Sequence, residues 1–155
     1  MSVKERYIVG VDLGGTNIVA GAMPVDGSRE IAMSTTPTLA AGGASAVVDR
    51  IAAMIDKVVA QAMAETGAPR SAFIGVGIGS PGPLNREKGI VIITPNLGWK
   101  NFPLRDEISS RDKMEATLDN DANCATLGEF WCGAAKGGRN VIGITLGTGI
   151  GGGLI

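Results

Sequence analysis

The segment Asp12-Leu13-Gly14-Gly15-Thr16-Asn17 sets a carboxylate at the end of an apolar run, followed at once by two glycines and a hydroxyl. Glycine lets backbone N–H groups approach an anion closely, so a hairpin of this kind suits a phosphate. Asp12 is the residue type that holds Mg²⁺ through its water shell, because Mg²⁺ takes one or two carboxylates together with phosphate oxygens. A tight hairpin in which Asp12 satisfies turn amides would use the same residues. A second cluster, Leu146-Gly147-Thr148-Gly149-Ile150-Gly151-Gly152-Gly153, follows an apolar run. Each glycine within an element costs roughly 0.5–1 kcal/mol relative to alanine. Close approach to a phosphate would explain the cluster; a glycine-rich β-turn is the alternative. The third segment is Leu118-Asp119-Asn120-Asp121-Ala122-Asn123. Here Asp121 is a candidate general base on a substrate hydroxyl, with Asn120 donating and accepting bonds to a neighbouring hydroxyl. Asp or Asn at a strand-to-helix junction also serves as a helix cap.

Other chemistries are excluded by what is missing or misplaced. The sequence has no histidine, so neither a His-based triad nor a His-containing zinc site can be built from it. Its two cysteines, Cys124 and Cys132, fit no metal-ligand spacing and read as reduced, partly buried thiols. Gly77-Ile78-Gly79-Ser80-Pro81-Gly82 and Gly147 to Gly152 both match G-x-G-x-x-G, but neither opens a helix, which a dinucleotide fingerprint must do. No glycine precedes a Lys-Ser or Lys-Thr pair, so there is no Walker A loop. The net charge of −1 with scattered basic residues, and only 4% aromatic residues, argue against nucleic-acid and anionic-membrane partners. The first apolar run is broken by Asp12 too early for a signal peptide, and no stretch could span a membrane. The expectation is a cytoplasmic protein with a one-domain length of 155 residues, enough to bury a core.

The elements that must position these segments follow from pattern. Tyr7–Leu13, Asn17–Met23 and Arg29–Thr36 read as strands of an antiparallel meander, with Asp26-Gly27 turning the second hairpin. In residues 44–64, Val47, Val48, Ile51, Ile55, Val58, Val59 and Ala62 recur at helical spacing, and Gly67 and Pro69 end the helix. Strands are predicted over 73–78 and 90–93, with a turn at Ser80 to Pro83 and a loop over 94–101. Pro103 suits the first turn of a helix reaching about Arg111. Met114, Ala116 and Leu118 alternate into a strand, followed by a helix from Ala122 to about Ala135 with Leu127, Phe130 and Trp131 on its apolar side. Strands over 141–146 and 151–155 complete an α/β pattern.

In order, these segments resemble the ROK family of sugar kinases. The marks are Asp12 to Asn17, Gly77 to Gly82, Thr94-Pro95-Asn96-Leu97-Gly98-Trp99, Asp119 to Asn123, Gly128-Glu129, and Leu146 to Gly149. The resemblance spans Gly10 to Ile155 and implies the actin-like ATPase (ribonuclease H-like) α/β fold. It would comprise a complete small lobe over 1–118 and the first strands of the second lobe over 119–155. It implies a glucokinase-type hexose kinase: ATP-dependent phosphorylation of a hexose, glucose to glucose 6-phosphate first, by a homodimer using Mg²⁺. Asp121 would be the catalytic base, and Gly79, Asn120 and Asp121 would meet the sugar. Asp12, Gly14, Gly15, Thr16, Asn17, Thr148 and Gly149 would face ATP, with Mg²⁺ on Asp12 through water. The family's zinc site is not carried over, because Cys124 and Cys132 lie outside its motif. Asp119 stands where a Glu is common. Two alternatives remain beside the kinase. One is a sugar-responsive transcriptional regulator of the family, disfavoured because six residues precede the first strand. The other is a non-catalytic truncated fragment that binds sugar or phosphate and self-associates through an exposed mating surface.

Overall fold

A computed structural model describes residues 5–146 and 149–155. Strand β1 (Tyr7–Leu13) is antiparallel to β2 (Asn17–Pro24), which is antiparallel to β3 (Ala32–Pro37). Helix α1 (Ala44–Thr66) then carries the chain across to β4 (Phe73–Ser80), parallel to β1. β8 (Ala116–Asn120) adds in parallel beyond β4, so the five-stranded sheet runs β3-β2-β1-β4-β8. The alternation along β1 puts Tyr7, Val9, Val11 and Leu13 in the core, and Gly10 and Asp12 on the opposite face. α1 covers the core face with Val47, Val48, Ile51, Met54, Ile55, Val58, Val59 and Ala62, all buried. It ends where Gly67 turns left-handed at φ 72° and donates its N–H to the Met63 carbonyl at 2.9 Å.

Between β4 and β8 the chain makes a small sheet of β5 (Leu84–Asn85), β6 (Ile90–Thr94) and β7 (Trp99–Phe102), followed by α2 (Leu104–Asp112). The loop expected over 94–101 is therefore a hairpin. Thr94 pairs with Trp99, a turn closes between them, and the Trp99 ring packs at a tilt of 38° against Phe102 with centroids 4.6 Å apart. Pro95 and Gly98 suggested loop in the sequence, but both sit in the turn itself, and burial of Trp99 holds the returning strand. Pro103 stands just before α2 rather than in its first turn, and β3 begins at Ala32 rather than Arg29.

Helix α3 (Asp121–Cys132) leads to a two-stranded ribbon of β9 (Ile142–Leu146) and β10 (Ile150–Leu154). The helix stops three residues earlier than expected, and its apolar side is not the packed one: Leu127 is 50% exposed and Trp131 38%. Ala122 and Thr126 are buried instead. A Cβ at Gly151 would lie 3.0 Å from the Ala122 Cβ, and one at Gly143 or Gly153 would collide with the Thr126 side chain. Small residues on the helix meet bare glycines on the ribbon, and this close approach replaces the large apolar contact. Cys132 is exposed, contrary to the partly buried thiol expected; Cys124 is half-buried.

One buried polar residue ties the fold to its working end. Thr38, fully buried, donates its hydroxyl to the Gly14 carbonyl at 2.7 Å and its N–H to the Thr16 carbonyl at 2.8 Å. It braces the β1–β2 hairpin from below. A buried side-chain hydrogen bond contributes about 1 kcal/mol net. Thr38→Val keeps the shape and should cost roughly 1–2 kcal/mol in urea unfolding. Amide exchange over Gly14 to Thr16 should rise more than elsewhere; uniform exchange changes would contradict the bracing role.

Asp112 closes α2 with a buried carboxylate whose Oδ2 has no partner among the described residues. Burial, then the nearby Asp56 carboxylate, push its pKa up to about 6 against the favourable pull of Arg70 and Arg111. The folded state thus binds this proton more tightly than the unfolded chain. Its contribution to stability is complete below about pH 4 and is lost as pH rises through about 6. Asp112→Asn should therefore stabilise the chain at pH 7.5 by on the order of 2 kcal/mol, and by much less at pH 4. Denaturant midpoints at the two pH values check this; equal effects at both would refute it.

Candidate active site

The functional segments meet because three parallel strands end in register. Asp12 of β1 is paired with Gly79 of β4, and Gly79 with Asp119 of β8. Paired residues of neighbouring strands share a face, so Asp12 and Asp119 both stand on the side away from α1. Crevices outside the carboxyl ends of parallel strands are where open α/β sheets bind ligands. A cleft of about 790 Å³ opens there. One wall is the β1–β2 hairpin at Gly14 and Gly15, and another is Pro81 to Leu84 with Arg86 and Asn96. The floor carries Asp119, Asn120, Asp121 and Asn123, and the ribbon closes the remaining side with Thr145, Leu146 and Gly149 to Gly152.

The hairpin is shaped by its glycines. Gly14 donates to the Asn17 carbonyl at 2.9 Å, and a Cβ on Gly14 would lie 2.9 Å from that oxygen. A Cβ on Gly15 would press on Asn96 at 3.1 Å. Among the described residues, no protein acceptor takes the N–H of Gly15 or Thr16, which leaves two amides for an external anion. Thr16 and Asn17 are exposed beside the cleft rather than in its wall.

The carboxylate loop is organised by capping. Asn120 ends β8 and caps α3, its Oδ1 accepting from the N–H of Ala122 at 3.0 Å and of Asn123 at 3.2 Å. The cap occupies Oδ1 of Asn120, and among the described residues no acceptor takes its Nδ2, while the residue lines the cleft. Asp121, the first residue of α3, accepts from the Ala122 N–H at 2.8 Å and lines the cleft. It benefits from the positive end of the helix. Asp12 is held above the usual carboxylate range, first by partial desolvation and then by the Asp121 carboxylate, which places the two acids within each other's field. Such a pair of hard oxygen donors beside free amides fits Mg²⁺ carried on a phosphate. Among the described residues no cluster of three or more Cys, Asp or Glu side chains could hold a metal unaided.

Gly79 lies beneath this loop. It is buried, and a Cβ there would sit 3.5 Å from both the Asp121 Cα and the Cys124 Sγ. It supports Asp121 from below and does not line the cleft. Cys124 is pushed up to about 11 by burial and by the carboxylates of Asp119, Asp12 and Asp121, so its thiol is inert at neutral pH. Gly149 lines the cleft with open space around it, while Thr148 and Gly147 fall outside the described residues. Gly151 and Gly153 are accounted for by the packing of α3, which gives the glycine cluster a structural purpose beside any phosphate one. Sequence reasoning missed Arg86. It forms an ion pair with Asp119 at 2.8 Å, and only the fold of the β5–β6 turn brings it there. Asn96 and Asn123 stood inside recognised segments without an assigned role, and both line the cleft.

Comparison with known proteins gives a consistent result. The profile of the ROK family matches residues 8–155. The glucokinase of Thermotoga maritima is 42% identical over 154 residues, covering 99% of this chain and 45% of that protein. The glucokinase of Halalkalibacterium halodurans is 37% identical over 153 residues, again covering 99% of this chain and 45% of the relative. A crystal structure of a ROK family glucokinase from Streptomyces griseus in complex with glucose and AMPPNP superposes with a TM-score of 0.82 at 38% identity, covering 96% of this chain and 44% of that one. The chain thus spans somewhat under half the length of these relatives. With its α/β core folded as in the ROK sugar kinases, which have the actin-like ATPase fold, the chain belongs to the ROK family.

Proposed function

We propose that this chain provides the catalytic base and the first phosphate-binding hairpin of an ATP-dependent hexose kinase, with glucose the substrate and glucose 6-phosphate the product. The observation that carries the reading is that Asp121 and the Gly14–Gly15 hairpin line the same cleft. Family relatives named as glucokinases, and one solved with glucose and AMPPNP, support the choice of substrate and donor.

In this reading the Asp121 carboxylate takes the proton of the sugar hydroxyl as its oxygen attacks the terminal phosphorus, and the bond to the ADP oxygen breaks. Asn120 holds a neighbouring hydroxyl through Nδ2, and Gly79 sets the height of the loop under the sugar. The amides of Gly15 and Thr16 receive phosphate oxygens, with Gly14 and Asn17 shaping the turn that presents them. Asp12 would hold Mg²⁺ through water, and the ion would neutralise charge developing on the phosphates. Thr148 and Gly149 form the second phosphate segment. Phosphoryl transfer asks mainly for positioning and charge neutralisation, which backbone amides supply without reorganising.

The same proposal divides the chain into a small lobe over 1–118 and the start of a larger lobe over 119–155. Ile142, Ile144, Leu146, Ile150 and Leu154 on the ribbon are 69–81% exposed, which supports a covering by further structure of a longer, two-lobed protein. We assign the protein to the cytoplasm, as a homodimer at the entry to glycolysis. No helix among the described residues is long and apolar enough to cross a membrane.

The test is ADP release dependent on both glucose and ATP–Mg²⁺, measured on the natural full-length protein and its Asp121→Asn variant. The variant should lose about 10²–10⁴-fold in kcat with little change in glucose affinity. Wild-type turnover in the variant would remove Asp121 from the role of base.

A further inference from the structure

Arg86 leaves the turn between β5 and β6 and reaches across to the end of β8. Its Nη2 lies 2.8 Å from Asp119 Oδ2. The other oxygen of that carboxylate, Oδ1, accepts the Asn120 N–H at 2.7 Å and the Asn123 Nδ2 at 3.2 Å. One side chain therefore fastens the small sheet, the last residues of β8 and the first turn of α3. Asn120 in turn caps α3, and Asp121 is the next residue. Among the described residues lining the cleft, Arg86 is the only basic one.

The pair contributes little to stability. The Arg86 side chain is 67% exposed and that of Asp119 23%, and exposed ion pairs contribute about 0–1 kcal/mol. Its consequence lies in geometry, because a misplacement of about 1 Å at a reacting centre can cost on the order of 10²-fold in rate. Without Arg86, Asp119 keeps its contacts to Asn120 and Asn123 but loses the one tether to the opposite wall found among the described residues.

We propose that Arg86 is a positioning residue: through Asp119 it holds the Asn120–Asp121 loop at a fixed distance from the wall formed by the β5–β6 hairpin. This inference rests on the kinase reading above, and its test separates the two. Kinetics are measured on the natural full-length protein with Arg86→Gln, Arg86→Lys, Asp119→Asn and, as a control on the same turn, the exposed Lys88→Gln. The ¹⁵N resonances of the Asn120 backbone amide and the Asn123 side-chain amide are followed in the same proteins.

Arg86→Gln should lower kcat about tenfold while moving KM for glucose less than about threefold. Arg86→Lys should recover most of the loss, because an ammonium can still meet Asp119 Oδ2, and Lys88→Gln should match wild type. The gap between wild type and Arg86→Gln should narrow at about 1 M salt, where an exposed pair is screened. Both asparagine resonances should shift in Arg86→Gln and Asp119→Asn. Should Asp119→Asn fail to fold, Arg86→Gln alters an exposed side chain and decides the matter alone. Wild-type kcat with unmoved Asn120 and Asn123 resonances in Arg86→Gln would overturn the proposal. A wild-type protein that phosphorylates no hexose would instead defeat the kinase reading, and the resonances would then decide the tether independently.

Discussion

The arrangement of the site depends on the parallel pairing of β1, β4 and β8, which sets Asp12, Gly79 and Asp119 side by side. A shift of one residue in either pairing would send Asp12 or Asp119 to the opposite face of the sheet, into the core. Burying an unpaired carboxylate there is costly enough to fix the register. The core face enforces the same choice, since Val9, Val11, Val76, Ile78 and Leu118 would all be turned outward. Hydrophobic burial on one side of the sheet thus determines the chemistry displayed on the other. The middle strand contributes no side chain at this level, and that lets α3 settle over Gly79 and carry Asp121 to the cleft.

Glycine serves two distinct ends around the cleft. In the β1–β2 hairpin it lets the backbone of Gly14 and Gly15 form a wall of the cleft, with the amides of Gly15 and Thr16 lacking an acceptor among the described residues and Thr38 holding the carbonyls behind them. In the β9–β10 ribbon it allows a helix to lie close, through Ala122 and Thr126. The same composition has different causes, and only the neighbours distinguish them. The electrostatics are divided in a similar way. Asp121 lines the cleft and its charge reaches Asp12, which stays outside the lining, while the charge of Asp119 is already met by Arg86.

Much of this was legible in the sequence. The three N-terminal strands, the long helix with its seven-fold apolar stripe, and the strand-to-helix placement of Asp119 to Asp121 followed from periodicity and punctuation, because each is dictated by local pattern and one-sided burial. The resemblance of ordered motifs led to the family. What was illegible depended on tertiary neighbours. Pro95 and Gly98 marked a turn but could not say that Trp99 would return as a strand, since that rests on burial against Phe102. Leu127 and Trp131 suggested an apolar helix face, yet the helix packs through its small residues because its partner strands are glycine. Arg86 reads as an ordinary surface charge until the hairpin folds back and brings it to Asp119.

The central claim is that the glycine hairpin and the Asp121 loop serve one metal–nucleotide from two sides of a single cleft. Paramagnetic broadening by Mn²⁺–ATP in the ¹⁵N-labelled protein tests it directly, with diamagnetic Mg²⁺–ATP as reference. The account predicts selective loss of the Gly14, Gly15, Thr16, Asn120 and Asp121 amide signals, with residues of α2 untouched. Broadening confined to exposed surface carboxylates, or to the hairpin with the Asp121 loop unaffected, would contradict it.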